Sequence, residues 1–328
     1  MSFLPEVVGH DGVREFLRGV CHTGRIPPGF LFHGDEGRGK ATAARALARR
    51  MFCRNGDSCG RCSSCLQMAG GHFADFDWVA AAEGKAVIPI DRVRALREWF
   101  ARAPYESDRR IAVIDGAHQL GTEAQNSLLK LLEEPPGSGF FILVTPDPAR
   151  LLETVVSRLQ RVFFGPLGDE QILEIVRRSH PEHEKRARTL LPFARGSAGR
   201  MTALLAGGDE PRSALAAKEL LDRRTGPFSF AERVLGGRGK GRDLRNECRE
   251  LFGSGLELLS RELHARLRGG GRPLPELSDG LMQQDFEGLM EILIEADRRV
   301  GAAATPRLVL EATKIRVHRI LARSAKRA

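Results

Sequence analysis

Two groups of residues in this 328-residue chain have types and spacing that could do chemistry. The first is Gly34-x-x-Gly37-x-Gly39-Lys40 in the stretch "FLFHGDEGRGKATAARAL" (30–47). Glycines there let backbone N–H groups close around phosphates, and the lysine reaches the terminal ones. Residue 41 is Ala where a Ser or Thr hydroxyl would hold Mg²⁺. The loop can still cradle ATP or ADP through its amides and the helix dipole. Equally, the glycines serve a plain strand-to-helix turn, and the residues leave the two readings open. The second group is Cys53, Cys59, Cys62 and Cys65 in "CRNGDSCGRCSSC". Two consecutive Cys-x-x-Cys steps and a thiol upstream supply four sulfurs for a tetrahedral Zn²⁺, with no coordination position left for catalysis. Unpaired thiols, a redox disulfide and an iron–sulfur cluster compete with zinc, and four cysteines so closely spaced favour the structural metal. Cys21 and Cys248 are isolated and read as buried thiols.

These groups need a scaffold, and the hydrophobic pattern describes one. "GFLFH" (29–33) reads as a strand running into the glycine loop, with "ATAARALARRMF" continuing as a helix. "RIAVIDGAH" (110–118) is a second buried strand ending in Asp115, "GFFILVTPD" (139–147) a third and "QRVFF" (160–164) a fourth. Between them, "PIDRVRALREWFARA" and "GTEAQNSLLKLLEE" carry apolar residues at helical spacing. Continuous apolar strands alternating with helices predict an α/β domain with a parallel sheet covered on both faces. In such sheets ligands sit at the carboxyl ends of strands, where Gly34–Lys40 and Asp115 both fall. After Pro166 the strand signal stops. The expected division is an α/β domain over 1–166 with the cysteine module at 53–65, a small helical domain over 167–208, and an all-helical domain over 209–328. Gly207 and Gly208 mark a linker, and Gly/Arg loops are expected at 236–242 and 268–272.

Composition bounds the class. Hydrophobic residues at 42% and charged residues at 28% describe an ordinary folded protein rather than a disordered one. No apolar run approaches the ~20 residues that cross a bilayer. The opening "MSFLPEVVGHDG" has no basic start and no apolar core, so a cytoplasmic protein is expected. The net charge of +9 permits a polyanionic partner without demonstrating one. Residues 301–328 hold Arg307, Lys314, Arg316, Arg319, Arg323, Lys326 and Arg327 against Glu311 alone, which reads as the solvated face of a terminal helix.

Together these stretches resemble the delta-prime subunits of bacterial DNA polymerase III clamp loaders, relatives of the AAA+ ATPases. The resemblance is carried by "VVGHDGVREFLRGVCHTGRIPPGFLFHGDEGRGK", the cysteine cluster, "VIDGAHQLGTEAQNSLLKLLEEPP" and "TPDPARLLETVVSRLQ". It covers the first two domains well, and the third only in its helical character. The gap from Cys53 to Cys59 is shorter than in the family. The resemblance implies an AAA+ P-loop domain with a zinc module, a helical lid and an all-α collar. In the family's motor subunits the second of these strands ends Asp-Glu, the Glu polarising the attacking water; here it ends Asp115-Gly116. Thr42 is a stand-in for the metal hydroxyl, but one residue along a helix start turns it about 100° away. The lid reads Gly196-Ser197-Ala198-Gly199-Arg200, its arginine one place later than in the motors. Hydrolysis in cis is therefore not expected. Ser157-Arg158 matches the arginine finger of the family's Ser-Arg-Cys motif, with Leu159 in place of Cys; outside that match, an arginine ending a helix is simply a surface residue. The implied role is a stator that supplies Arg158 in trans to a neighbour's ATP. Its implied partners are the gamma/tau and delta subunits, the sliding clamp and, through the assembly, primed DNA. The competing functions are an ATP-hydrolysing gamma/tau-type motor and a zinc-containing DNA-binding protein; one Tyr and two Trp give the latter few stacking platforms.

Overall fold

The computed structural model describes residues 3–23, 27–83, 85–133, 139–207, 212–236, 242–268, 280–302 and 304–325, with Leu274 and Leu277. The chain divides into two compact units, Met1–Glu182 with Gly196–Arg200, and His183–Arg195 with Met201–Ala328.

The first unit is built on strands β1 (Gly29–His33), β2 (Phe76–Val79), β3 (Arg110–Asp115), β4 (Gly139–Thr145) and β5 (Gln160–Phe163). They form one sheet in the order β2-β3-β4-β1-β5, and every pairing is parallel. Successive side chains point to opposite faces, so the apolar runs feed two cores. Phe30, Phe32, Ile111, Val113, Phe140 and Ile142 go to one. Leu31, Ala112, Ile114, Phe141 and Leu143 go to the other. Helix α2 (Lys40–Phe52) packs its alanines and Leu47 into the first core, alongside Leu17 of α1 (Asp11–Thr23) and Met68 of α3 (Ser63–Gly70). Helices α4 (Ile90–Phe100), α5 (Thr122–Glu133) and α6 (Glu153–Val156) cover the second. Helix α7 (Asp169–Ser179) completes this unit.

The four expected strands and both intervening helices form. Strand β2 escaped the apolar pattern because it is a four-residue edge strand, "FDWV", in which only Val79 is buried. Just before it, the fully buried Asp75 carboxylate accepts the backbone N–H groups of Tyr105, Glu106 and Ser107 at 2.7–2.9 Å and lies 3.4 Å from Arg110. Those amides hold its pKa below the usual carboxylate range against the opposing effect of burial, and they pin the loop that feeds β3.

The second unit is helical: α8 (Glu184–Ala194), most of α9 (Ala198–Ala206), α10 (Arg212–Leu221), α11 (Pro227–Leu235), α12 (Arg242–Arg268), α13 (Gln283–Gly301) and α14 (Pro306–Ser324). Phe252, Leu259, Phe286, Leu293, Val317 and Leu321 are buried here. Gly208 and most of the loops expected at 236–242 and 268–272 lie outside the described residues, as do Lys326 and Arg327.

The basic C-terminal helix is not simply a solvated face. Lys314 is fully buried, and its ammonium donates to the carbonyls of Glu219, Leu220 and Asp222, closing the end of α10. The last carbonyls of a helix have no partner within it, so a buried cation satisfies them where water is excluded. Arg316 pairs with Glu295 and Arg307 with Glu311, while Arg319 and Arg323 stay exposed.

Burial lowers the Lys314 pKa to about 8, with Asp222 and Glu219 opposing. The folded state therefore releases this proton before the unfolded state does. Its contribution to stability is constant below pH 8 and rises between about 8 and 10. The stability difference between wild type and Lys314→Met, measured by chemical denaturation, should accordingly widen over that pH range. A difference independent of pH would contradict a charged, buried Lys314.

Candidate functional site

At the carboxyl end of β1 the chain makes a close-fitted loop. Gly34, Gly37 and Gly39 all have positive φ (132°, 72° and 83°), a region costly for any residue with a Cβ. Two are also sterically enforced. A Cβ on Gly34 would lie 2.2 Å from the Phe164 carbonyl oxygen, and one on Gly37 2.3 Å from Ser197 Oγ. The Gly196–Arg200 turn rests directly on the loop: Ser197 Oγ donates to Glu36 O at 2.9 Å, and Gly199 N to Gly37 O at 2.9 Å. Ser197 Oγ also accepts from Arg200 N at 3.1 Å, starting α9.

Lys40 is buried, and its ammonium donates to Gly34 O and Asp35 O, both at 2.5 Å. Burial lowers its pKa, opposed by Glu36 and Asp35. Asp115, at the end of β3, has its pKa raised by burial, with Lys40, the Gly116 amide and Arg45 opposing. Asp115 also lines a cavity of about 500 Å³ with Ala41, Thr42, Arg45, Met68 and Trp78. Thr42 thus borders the same cavity as Asp115, whose lining does not include the loop glycines or Lys40. Gly116, by contrast, has φ 77°, and a Cβ there would meet Gln119 Oε1 at 2.7 Å, so the backbone itself disfavours a side chain after Asp115. The glycines and buried lysine fit a phosphate group, whose oxygens would replace the Gly34 and Asp35 carbonyls at Lys40.

The Sγ atoms of Cys53, Cys59, Cys62 and Cys65 lie within 4.8 Å of one another. Four thiolates around one zinc stand about 3.8 Å apart, so this donor set fits a tetrahedral metal after slight contraction. Backbone amides already point at the sulfurs, Cys59 N to Cys53 Sγ and Cys62 N to Cys59 Sγ, each at 3.4 Å. The Arg61 and Cys62 amides bring the Cys59 thiol below its ordinary pKa, whereas burial pushes Cys65 up to about 12. A four-cysteine cluster of this size can hold a metal ion. Of the isolated thiols, Cys248 is buried and Cys21 half-buried.

Arg158 follows α6, about one third exposed. Nη1 donates to Thr154 O at 2.8 Å and Nη2 to Glu133 Oε1 at 2.5 Å. Neither Glu133 nor Gln125 stood out in the sequence. Gln125 is buried in α5, donating to Leu120 O and Arg150 O and accepting from Leu152 N. It thereby ties the segment after Asp115 to the turn before α6. Its signal was an amide at a helix position whose neighbours three and seven residues on, Leu128 and Leu132, are buried.

Residues 9–168 match a family model described as DNA polymerase III, delta subunit. This segment is similar to subunits of the DNA polymerase III clamp loader. The delta′ subunit of Bacillus subtilis is 35% identical over 162 residues, 49% of either chain. DNA polymerase III subunit tau of Salmonella typhimurium is 36% identical over 58% of this chain and 30% of its own length. The gamma/tau subunit of Mycobacterium bovis is 38% identical over 47% and 27%. The matches thus span half or less of each relative, and delta′ and tau relatives stand at similar identity. The RuvB branch migration motor of Thermotoga maritima aligns over 83% of this chain and 80% of its own, at 14% identity and a TM-score of 0.46. The fold is an α/β domain on a parallel five-stranded sheet with further helices after it. Among the described residues no helix is long and apolar enough to cross a membrane.

Gly37→Ala should destabilise the first unit by about 1–3 kcal/mol, from the left-handed backbone and the displaced Ser197 hydroxyl. Denaturant unfolding measures it; an unchanged midpoint would mean the Gly196–Arg200 turn does not rest on the loop in solution.

Proposed function

We propose that the protein is a non-hydrolysing clamp-loader subunit that completes a neighbour's ATP site with Arg158. The observation that carries this reading is Gly116: the residue after Asp115 has no side chain to activate water, and its φ of 77° is one that residues with a Cβ rarely adopt. Arg158, meanwhile, remains about one third exposed just after the short helix α6. The loop Gly34–Lys40 and Asp115 hold ATP or ADP without turning it over. Residues 167–208 serve as lid and 209–328 as the collar that joins gamma/tau and delta subunits. The assembly places a sliding clamp on primed DNA in the cytoplasm. The cysteine cluster holds one structural Zn²⁺, which staples residues 53–65 and does no chemistry.

A guanidinium delivered to a γ-phosphate offsets the charge that develops there, and such fingers contribute ~10³–10⁵ in rate in GTPases. Arg158→Ala, in a complex with wild-type motor subunits, should lower DNA-stimulated ATP hydrolysis and clamp loading. Arg158→Lys should rescue little, because lysine lacks the planar fork. Wild-type rates for the alanine variant would refute a role in trans.

The motor reading draws support from one observation, the position of Thr42 on the cavity lined by Asp115. A steady-state assay on the purified chain separates the two. No turnover above background is expected, for wild type or for Ala41→Thr, since Gly116 still leaves the water without a base. Turnover at ordinary AAA+ rates would favour the motor.

Elemental analysis of protein purified without chelators should give one zinc per chain, and Cys59→Ser should reduce it. Protein without zinc, or with a coloured iron centre, would overturn the metal assignment.

A further inference from the structure

We infer that Glu133, the last residue of α5, is a positioning residue for Arg158, fixing the plane of its guanidinium before a neighbouring subunit's phosphate arrives. This rests on the reading of Arg158 as a residue that acts in trans. The two contacts hold the group from different sides. Nη1 donates to Thr154 O at 2.8 Å, one helical turn back on its own segment. Nη2 donates to Glu133 Oε1 at 2.5 Å, across to a separate helix. A guanidinium carries five N–H groups, and each contact uses one on a different terminal nitrogen. Three donors remain, enough to engage a phosphate without releasing either anchor.

Solvent exposure argues that the pair serves orientation rather than stability. The Arg158 and Glu133 side chains are 34% and 48% exposed. An ion pair this open to water contributes little to folding. Its effect is to restrict a long, flexible side chain to one geometry, which is the quantity that matters for a group acting across an interface. The Thr154 carbonyl alone leaves the guanidinium free to pivot about one hydrogen bond; the second anchor removes that freedom. Helix α5 is a firm base for it, since Ala124, Leu128, Leu131 and Leu132 are buried in the core beneath.

What Glu133 must supply is an acceptor oxygen in this place, so glutamine should serve nearly as well and alanine should not. The test is the complex reconstituted with wild-type motor subunits, in which kcat and KM for ATP are measured for Glu133→Ala, Glu133→Gln, Arg158→Ala and the double alanine variant. Glu133→Ala should lower kcat about 10-fold with KM unchanged, as expected for a misplaced group. Glu133→Gln should stay within about twofold of wild type, and Glu133→Ala should add nothing in the Arg158→Ala background, as expected of residues acting through one contact. The melting temperature of the lone chain should be unaffected by Glu133→Ala. If Arg158→Ala lowers kcat while Glu133→Ala does not, the positioning role is wrong and the in-trans reading stands. If glutamine is as poor as alanine, or if alanine raises the rate, the carboxylate acts through its charge and the inference also fails. If Arg158→Ala itself has no effect, the in-trans reading is lost and this inference with it.

Discussion

A buried lysine ammonium satisfied by backbone carbonyls is the interaction on which each unit of this chain depends. Lys40 in the glycine loop donates to Gly34 O and Asp35 O; Lys314 donates to three carbonyls at the end of α10. A charge removed from water is costly unless hydrogen bonds replace hydration, and polypeptide carbonyls are acceptors available wherever helices and turns end. Lys314 closes a helix terminus. Lys40 holds the loop in shape, but its acceptors are ones that phosphate oxygens could replace.

The loop is fixed from outside as well as from within. Gly34 lies against the Phe164 carbonyl and Gly37 against Ser197 and Gly199, at distances that exclude any side chain. Two segments far apart in sequence therefore meet the loop backbone to backbone. The same closeness requires glycine at both positions for packing, whether or not a nucleotide binds.

Helix α5 links the segment after Asp115 to Arg158. Its middle, through Gln125, holds both the segment after Asp115 and the turn before α6; its last residue, Glu133, holds Arg158. Leu120, five residues after Asp115, and Arg158 are thus both tied to one helix whose apolar face is locked in the core. A group that must be presented at a subunit interface gains accuracy from such support, because packed helices deform less than loops.

By itself the sequence determined the parallel α/β unit, the glycine loop at the end of β1, Asp115 at the end of β3 and the four-cysteine cluster. Each follows from local signals: continuous apolar runs alternating with helical patterns, a turn that glycine favours, thiols at ligand spacing. Strand β2 was not legible, since an edge strand with one buried residue has no apolar pattern to display. Nor was the fate of Lys314, which reads as one more cation on a basic helix until α10 brings its carbonyl end to it. Tertiary structure alone decided which backbone touches Gly37, where Thr42 sits and what holds Arg158. The partners concerned are 25 residues away in the chain for Glu133 and 161 for the Ser197–Glu36 contact. Spacing along a sequence reports a periodicity within one element; contacts between elements depend on how their faces are packed, and only the folded chain fixes that.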